Sequence, residues 1–150
     1  MLIERLQDLS IFYWLKDTVL VSYPMINVED GFPQEDLQIP SVAVESYDIR
    51  PRQKELGNRK SRRQRMWALE VIASNKAQRD EITSVILDQL EYGIPVYDYN
   101  EGFPPAISPS ELGLLRPIDW EVRTVRIFPD LVEKLYWRNT IRFFTEYNAI

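Results

Sequence analysis

Proline placement is the tightest constraint on what this chain can fold into. Ten prolines are spread through 150 residues. Each fixes φ and removes a backbone donor, so helices stop near them and central strands avoid them. Residues 2–21 contain none, and Leu2, Leu6, Leu9, Tyr13 and Leu20 recur there at helical intervals, with Pro24 as the stop. The middle of this segment, Ile11-Phe12-Tyr13-Trp14-Leu15, is apolar nearly all round. Such a helix has to be covered on two sides, by the chain's own loop or by another subunit. A second helix is expected from a Ser74 or Asn75 cap to about Tyr92, with Ile82, Val85, Ile86 and Leu90 as its stripe. Gly93 fits its C-terminal cap, and Pro95 prevents continuation.

The remaining segments read as strands and loops. Residues 24–40, with three prolines, Gly31 and the acidic pairs Glu29-Asp30 and Glu35-Asp36, read as a long irregular connection. Residues 41–52 alternate loosely, Val42 and Val44 against Ala43, Glu45 and Tyr47, as a strand does, and Pro51 marks an edge or a strand end. Gly57-Asn58 is a turn dipeptide, and residues 62–74 form a second strand with Trp67, Leu69, Val71 and Ala73 on one face. Together they make a long antiparallel hairpin. Residues 100–110 are a loop, and residues 117–127 and 136–147 read as two closing strands joined at Pro129-Asp130. In the last strand Trp137, Ile141 and Phe143 share one face and Arg138, Arg142 and Glu146 the other; Asp119, Glu121 and Arg123 stand on the matching parity of its neighbour, offering cross-strand charge pairs. Phe143 and Phe144 are adjacent and so face opposite ways. The expectation is one α+β domain over residues 1–150: a mainly antiparallel four-stranded sheet, helices packed on one face, and a long basic hairpin.

Much chemistry is excluded by what is missing. There is no cysteine and no histidine, which removes disulfide frameworks, zinc sites built on either residue, thiol nucleophiles and every Ser-His or Cys-His relay. No phosphate loop, dinucleotide fingerprint or Gly-x-Ser-x-Gly elbow occurs. Two oxygen-rich clusters, Glu29, Asp30, Glu35 and Asp36, and then Asp98, Asn100 and Glu101, lack the spacing of a calcium loop and read as solvated loop charge. Asp130 with Glu133-Lys134 lacks the Glu-x-Lys spacing of a metal-dependent nuclease. No catalytic residue, metal site or cofactor is expected. The longest apolar run is five residues, against roughly 20 for a bilayer span. No signal peptide is readable, so no membrane partner is expected and synthesis in a cytoplasm is.

Charge is distributed unevenly. The net charge is −5, yet Arg50, Arg52, Lys54, Arg59, Lys60, Arg62, Arg63 and Arg65 stand against Glu55 alone, so residues 50–65 carry +7 and the rest −12. A +7 run repels itself and is a costly route to solubility alone. On duplex nucleic acid it would contact phosphates with little base reading, since no aromatic residue lies between Arg50 and Arg65. On the acidic body of another copy it would form a head-to-tail contact that closes a ring. Complementary charge within one chain favours that reading over a DNA-binding regulator built on the same hairpin.

The order of elements, an N-terminal helix, a strand pair with a basic tip, a helix leading into Leu90-Glu91-Tyr92-Gly93-Ile94-Pro95-Val96-Tyr97-Asp98, and two closing strands, resembles the tail terminator and tail completion (head-tail joining) proteins of tailed bacteriophages. The phrase resembling theirs is Ile94-Pro95-Val96-Tyr97. The resemblance implies a structural virion protein assembled in the host cytoplasm. It implies a ring, usually a hexamer, that caps the tail tube and joins it to the head connector or neck, with genomic DNA passing through the lumen. Its implied partners are further copies of itself, the tail tube protein and the connector. It carries over no catalytic or cofactor residue; it marks the hairpin, Arg50 to Arg65, as the assembly or DNA-contacting arm.

Overall fold

The computed structural model describes residues 1–32, 38–53, 61–125 and 137–150. Helix α1, Ile3–Trp14, continues into a π-helical turn, Leu15–Val19, closed by the Leu20 N–H donating to the Leu15 carbonyl at 2.8 Å. Strands β1 (Asn27–Asp30), β2 (Ser41–Gln53) and β3 (Ser61–Ala73) follow. Then come helix α2 (Lys76–Leu90) and strands β4 (Ile94–Tyr97), β5 (Glu111–Val125) and β6 (Trp137–Ala149). The strands form one sheet in the order β1-β2-β3-β6-β5-β4, in which β1 and β2 run parallel and every other pair is antiparallel.

This corrects the expected four-stranded, mainly antiparallel sheet: it is six-stranded and mixed. The two additional strands have four residues each. β1 lies inside the segment read as irregular, because its sequence Asn27-Val28-Glu29-Asp30 has acidic residues in place of an apolar alternation. Its pairing is parallel and comes from outside, through Asn27 opposite Ser41 and Asp30 opposite Val44. β4 is the phrase Ile94-Pro95-Val96-Tyr97, and Pro95 is tolerated there because β4 is an edge strand.

Pleat alternation on β3 divides the molecule into two faces. Arg65, Trp67, Leu69 and Val71 occupy one row, continued by Val42 and Val44 on β2 and by Asn139, Ile141, Phe143 and Thr145 on β6. Both helices cover this row. The Arg65 guanidinium donates to Gln7 Oε1 of α1 at 3.1 Å, and Asn139 Nδ2 donates to Thr83 Oγ1 of α2 at 2.9 Å. Trp67 is fully buried and its indole N–H donates to Thr145 Oγ1 at 2.9 Å. The opposite face is polar: Glu70 accepts from Arg138 at 2.9 Å and from Thr140 at 2.7 Å, and Gln64 donates to Glu146 at 3.0 Å. The closing strands also align opposite charges as expected, Glu121 opposite Arg142. Phe32, just past β1, lies 5.2 Å from the Arg138 guanidinium on this second face.

The two-sided cover of α1 comes from the chain's own loop. Tyr13 stacks on Tyr99 (5.2 Å between centroids) and Tyr99 on Phe103 (5.8 Å), while Ile11, Trp14 and Leu15 enter the sheet core. Ser10 accepts the Tyr97 N–H at 3.1 Å, tying α1 to β4. Asn75 caps α2 by accepting from the Gln78 N–H at 2.8 Å, and Gly93, at φ +79°, ends it. Phe143 is buried in the core and Phe144 stands half-buried on the polar face opposite Met66.

Trp67→Ala should cost about 3–5 kcal/mol of unfolding free energy through the cavity it leaves, whereas Asn75→Ala should cost about 1 kcal/mol. Urea titration followed by circular dichroism measures both, and equal losses would contradict the central place given to Trp67.

Candidate assembly interface

The eight basic residues of the hairpin have different fates. Arg65 is 5% exposed and anchored in the body. It forms an ion pair with Asp8 at 3.0 Å, donates to the Glu4 carbonyl at 3.0 Å, and lies 4.1 Å above the Trp67 ring. It is a clamp between α1 and β3 and is not presented to a partner. Arg50 is paired with Gln64, Arg52 with Arg62, and Arg63 with Pro51 across the β2–β3 ladder. These four arginines therefore belong to a hairpin stem with fixed register. Lys54, Arg59 and Lys60, with the Gly57-Asn58 turn, lie outside the described residues, as do Glu35, Asp36, Asp130, Glu133 and Lys134.

The acidic clusters serve local structure. Asp30 pairs with Arg5 at 2.8 Å, Asp98 accepts from the Asn100 N–H at 3.1 Å, and Glu101 accepts from the Ser110 N–H at 2.9 Å. Among the described residues no group of three or more acidic side chains converges as a metal site. A cavity of about 270 Å³ between α1 and the 98–110 loop is walled by Tyr13, Tyr97, Tyr99, Pro104, Pro105 and Pro109. Burial pushes the Tyr99 phenol up to about 12, so it stays protonated and contributes stacking and hydrogen bonding. No helix among the described residues is long and apolar enough to cross a membrane.

The sheet is unfinished on both sides. β1 covers the outer edge of β2 from Ser41 to Val44, leaving residues 46–53 without a strand partner on that side among the described residues. On the far side β4 covers β5 from Glu111 to Leu115, leaving residues 116–125 equally open. An open edge presents a row of unpaired N–H and C=O groups, a template for another strand. The β5 edge also displays Trp120 at 45% and Val122 at 41% exposure. A hollow of about 310 Å³ beside it is lined by Met66, Asp119, Trp120, Glu121, Arg142 and Phe144 among others.

The two edges differ in charge pattern. The β2 edge is the start of the basic segment, with Arg50 and Arg52 following Asp48; the β5 edge carries Asp119 and Glu121 between Arg116 and Arg123, with no net charge. Sequence reasoning singled out the first and not the second. The available signal was a tryptophan and a valine interleaved with charges, Asp119-Trp120-Glu121-Val122-Arg123, in a strand at the margin of the sheet.

No family model matches the chain, and no curated protein matches it in sequence. Among solved structures it is similar in fold, with a TM-score of 0.59 and 14% identity, to a chain from the virion of a native gene transfer agent particle. The match covers 99% of this chain and 98% of that one.

Burial raises the Asp8 pKa above 3.8, against the lowering effect of Arg65. The native state therefore holds this proton longer than the unfolded chain. The group's contribution to stability is full below pH 3.8 and is lost as pH rises through the raised value. In Arg65→Leu the opposing guanidinium is gone, so Asp8 should titrate at still higher pH, and its part-buried carboxylate, left without its partner, should destabilise the fold at neutral pH. Carboxyl-carbon NMR reads the titration; an unshifted Asp8 midpoint would show that Arg65 is not its partner.

Proposed function

We propose that this chain is a structural, non-catalytic virion protein of the tail terminator type. In this reading copies form a ring, a hexamer as the family resemblance implies, that caps the tail tube and joins it to the head connector, with DNA passing through the lumen. The observation that carries the reading is the end-to-end likeness of fold to a chain of a gene transfer agent virion. It is supported by two sheet edges, on opposite sides of one sheet, that are each part-open among the described residues. Such edges suit a heterologous contact, which closes into a ring when its rotation permits. The anchoring of Arg65 inside the body further supports a division of labour in which only part of the basic run is available to partners.

Negative-stain imaging of the purified protein, alone and mixed with its cognate tail tubes, tests this directly. Rings, or caps at one end of each tube, are the expected outcome. Bare tubes and dispersed monomers in both preparations would overturn it. A mobility-shift assay with calf-thymus duplex at moderate salt tests the regulator reading: micromolar binding lost on changing Arg59, Lys60, Arg62 and Arg63 to Ser would favour a DNA-binding regulator.

A further inference from the structure

We propose that the sheet continues from one subunit to the next, the open edge of β5 in one copy pairing antiparallel with the open edge of β2 in its neighbour. The inference rests on the ring reading above and names its interface. Strand direction permits it. β2, β3, β6 and β5 alternate in direction, so β5 runs opposite to β2 and a neighbour's β2 laid beside it continues the alternation.

The register follows from the pleat and from charge. Asp119, Glu121 and Arg123 pair with Phe144, Arg142 and Thr140, in the row facing away from the helices. Positions 50 and 52, paired with Gln64 and Arg62, belong to that same row. A slip of one residue would set charged positions against apolar ones, so only every second register is admissible. Placing Arg50 opposite Glu121 sets Arg52 opposite Asp119 and Asp48 opposite Arg123, three opposite-charge pairs. On the other face the same register sets Ile49 opposite Val122 and Pro51 opposite Trp120, covering the two exposed apolar side chains of the β5 edge. Sliding by two residues one way puts Arg50 against Arg123; sliding by two the other way puts Asp48 against Glu121. Like charges directly opposite are unfavourable, which leaves one register.

A geometric check agrees. Within one copy Arg50 aligns with Gln64, Glu146 and Arg116 in turn, whereas the proposed contact aligns it with Glu121 of the neighbour. Because β5 has a bulge between Pro117 and Asp119, Arg116 and Glu121 stand opposite Glu146 and Arg142, so the stagger is four residues over four strands, about 13 Å along the strands against about 19 Å across them. The resulting tilt of about 35° lies at the lower end of the range of closed barrels and does not depend on the number of copies.

The chain lacks cysteine, so engineered pairs report proximity without interference. A chain carrying Ile49→Cys and Val122→Cys should give covalent multimers on mild oxidation, since directly opposed positions approach within disulfide reach. Gln53→Cys with Val122→Cys, about 13 Å out of register, should not. Glu121→Arg and Arg50→Glu should each weaken association about tenfold or more by sedimentation, and the double variant Arg50→Glu/Glu121→Arg should restore it. Circular dichroism confirms that each variant is folded. Rings that form with no 49–122 cross-link and no effect of charge reversal would overturn the edge pairing while leaving the ring reading in place. Cross-linked open chains with no rings would uphold the pairing and overturn the ring. If folded protein gives neither, both fall.

Discussion

The structure depends on β3 being paired on both sides. Flanked by β2 and β6 in antiparallel register, it cannot slip without moving Trp67, Leu69 and Val71 from the helix-covered face to the polar one. Trp67 secures that register through its hydrogen bond to Thr145 on β6. Arg65 secures it through the carbonyl of Glu4 and the side chains of Gln7 and Asp8 on α1. A guanidinium stacked on the Trp67 ring at 4.1 Å, with polar partners in its own plane, is held by an aromatic face and by hydrogen bonds together. The centre of the sheet is fixed first, and the edges inherit their positions from it.

Those edges are finished only halfway. β1 and β4 each contribute four residues, enough to cap one end of their neighbour and to seat α1, which packs against β4 through Ser10. Beyond that the described sheet is bounded by a basic strand on one side and by a strand of alternating charged and apolar residues, Asp119-Trp120-Glu121-Val122-Arg123, on the other. A monomer that needed only to be soluble would blunt such margins with lysine, proline or a covering loop. Pro51 and Pro117 are the prolines on these two edges, and each removes one donor. Among the described residues the remaining polar backbone of two long strands has no strand partner, and the exposed Trp120 and Val122 add apolar area where a monomer gains nothing from it.

What the sequence disclosed follows the same division. Both helices, the caps of the second and the four long strands were legible, though β5 begins at Glu111, six residues before the expected start, because each carries its own signal: a helical stripe, an Asn75 cap, Gly93 before Pro95, and the alternation around Trp67. β1 and β4 were not, because a four-residue strand holds too little pattern to outweigh an acidic pair or a proline. β1 is also defined by a parallel partner that begins fourteen residues away, at Ser41. The +7 run was correctly found as a run, yet treating it as one arm missed that its last member folds inward. Nothing in the local sequence separates Arg65 from Arg63. Positions 63 and 65 share one pleat row, so what sets Arg65 apart is the reach of α1, whose Glu4 carbonyl and Gln7 and Asp8 side chains meet it.

The inward turn of Arg65 changes how the charge asymmetry works. If all eight cations projected from one tip, attraction between copies would be long-range and unspecific, falling away with salt and fixing no orientation. With Arg65 committed to Asp8, and Arg50 and Arg52 tied to the ladder at alternate positions, charge instead becomes positional: it sits at a two-residue spacing along a strand. Asp119, Glu121 and Arg123 repeat that spacing on the far edge with the signs arranged in complement. Screened charges at such a margin contribute little affinity each, whereas backbone pairing along an open edge supplies affinity without choosing a register. Each supplies what the other lacks, so a strand edge that pairs and a charge row that selects the register are both required for copies to meet in one geometry.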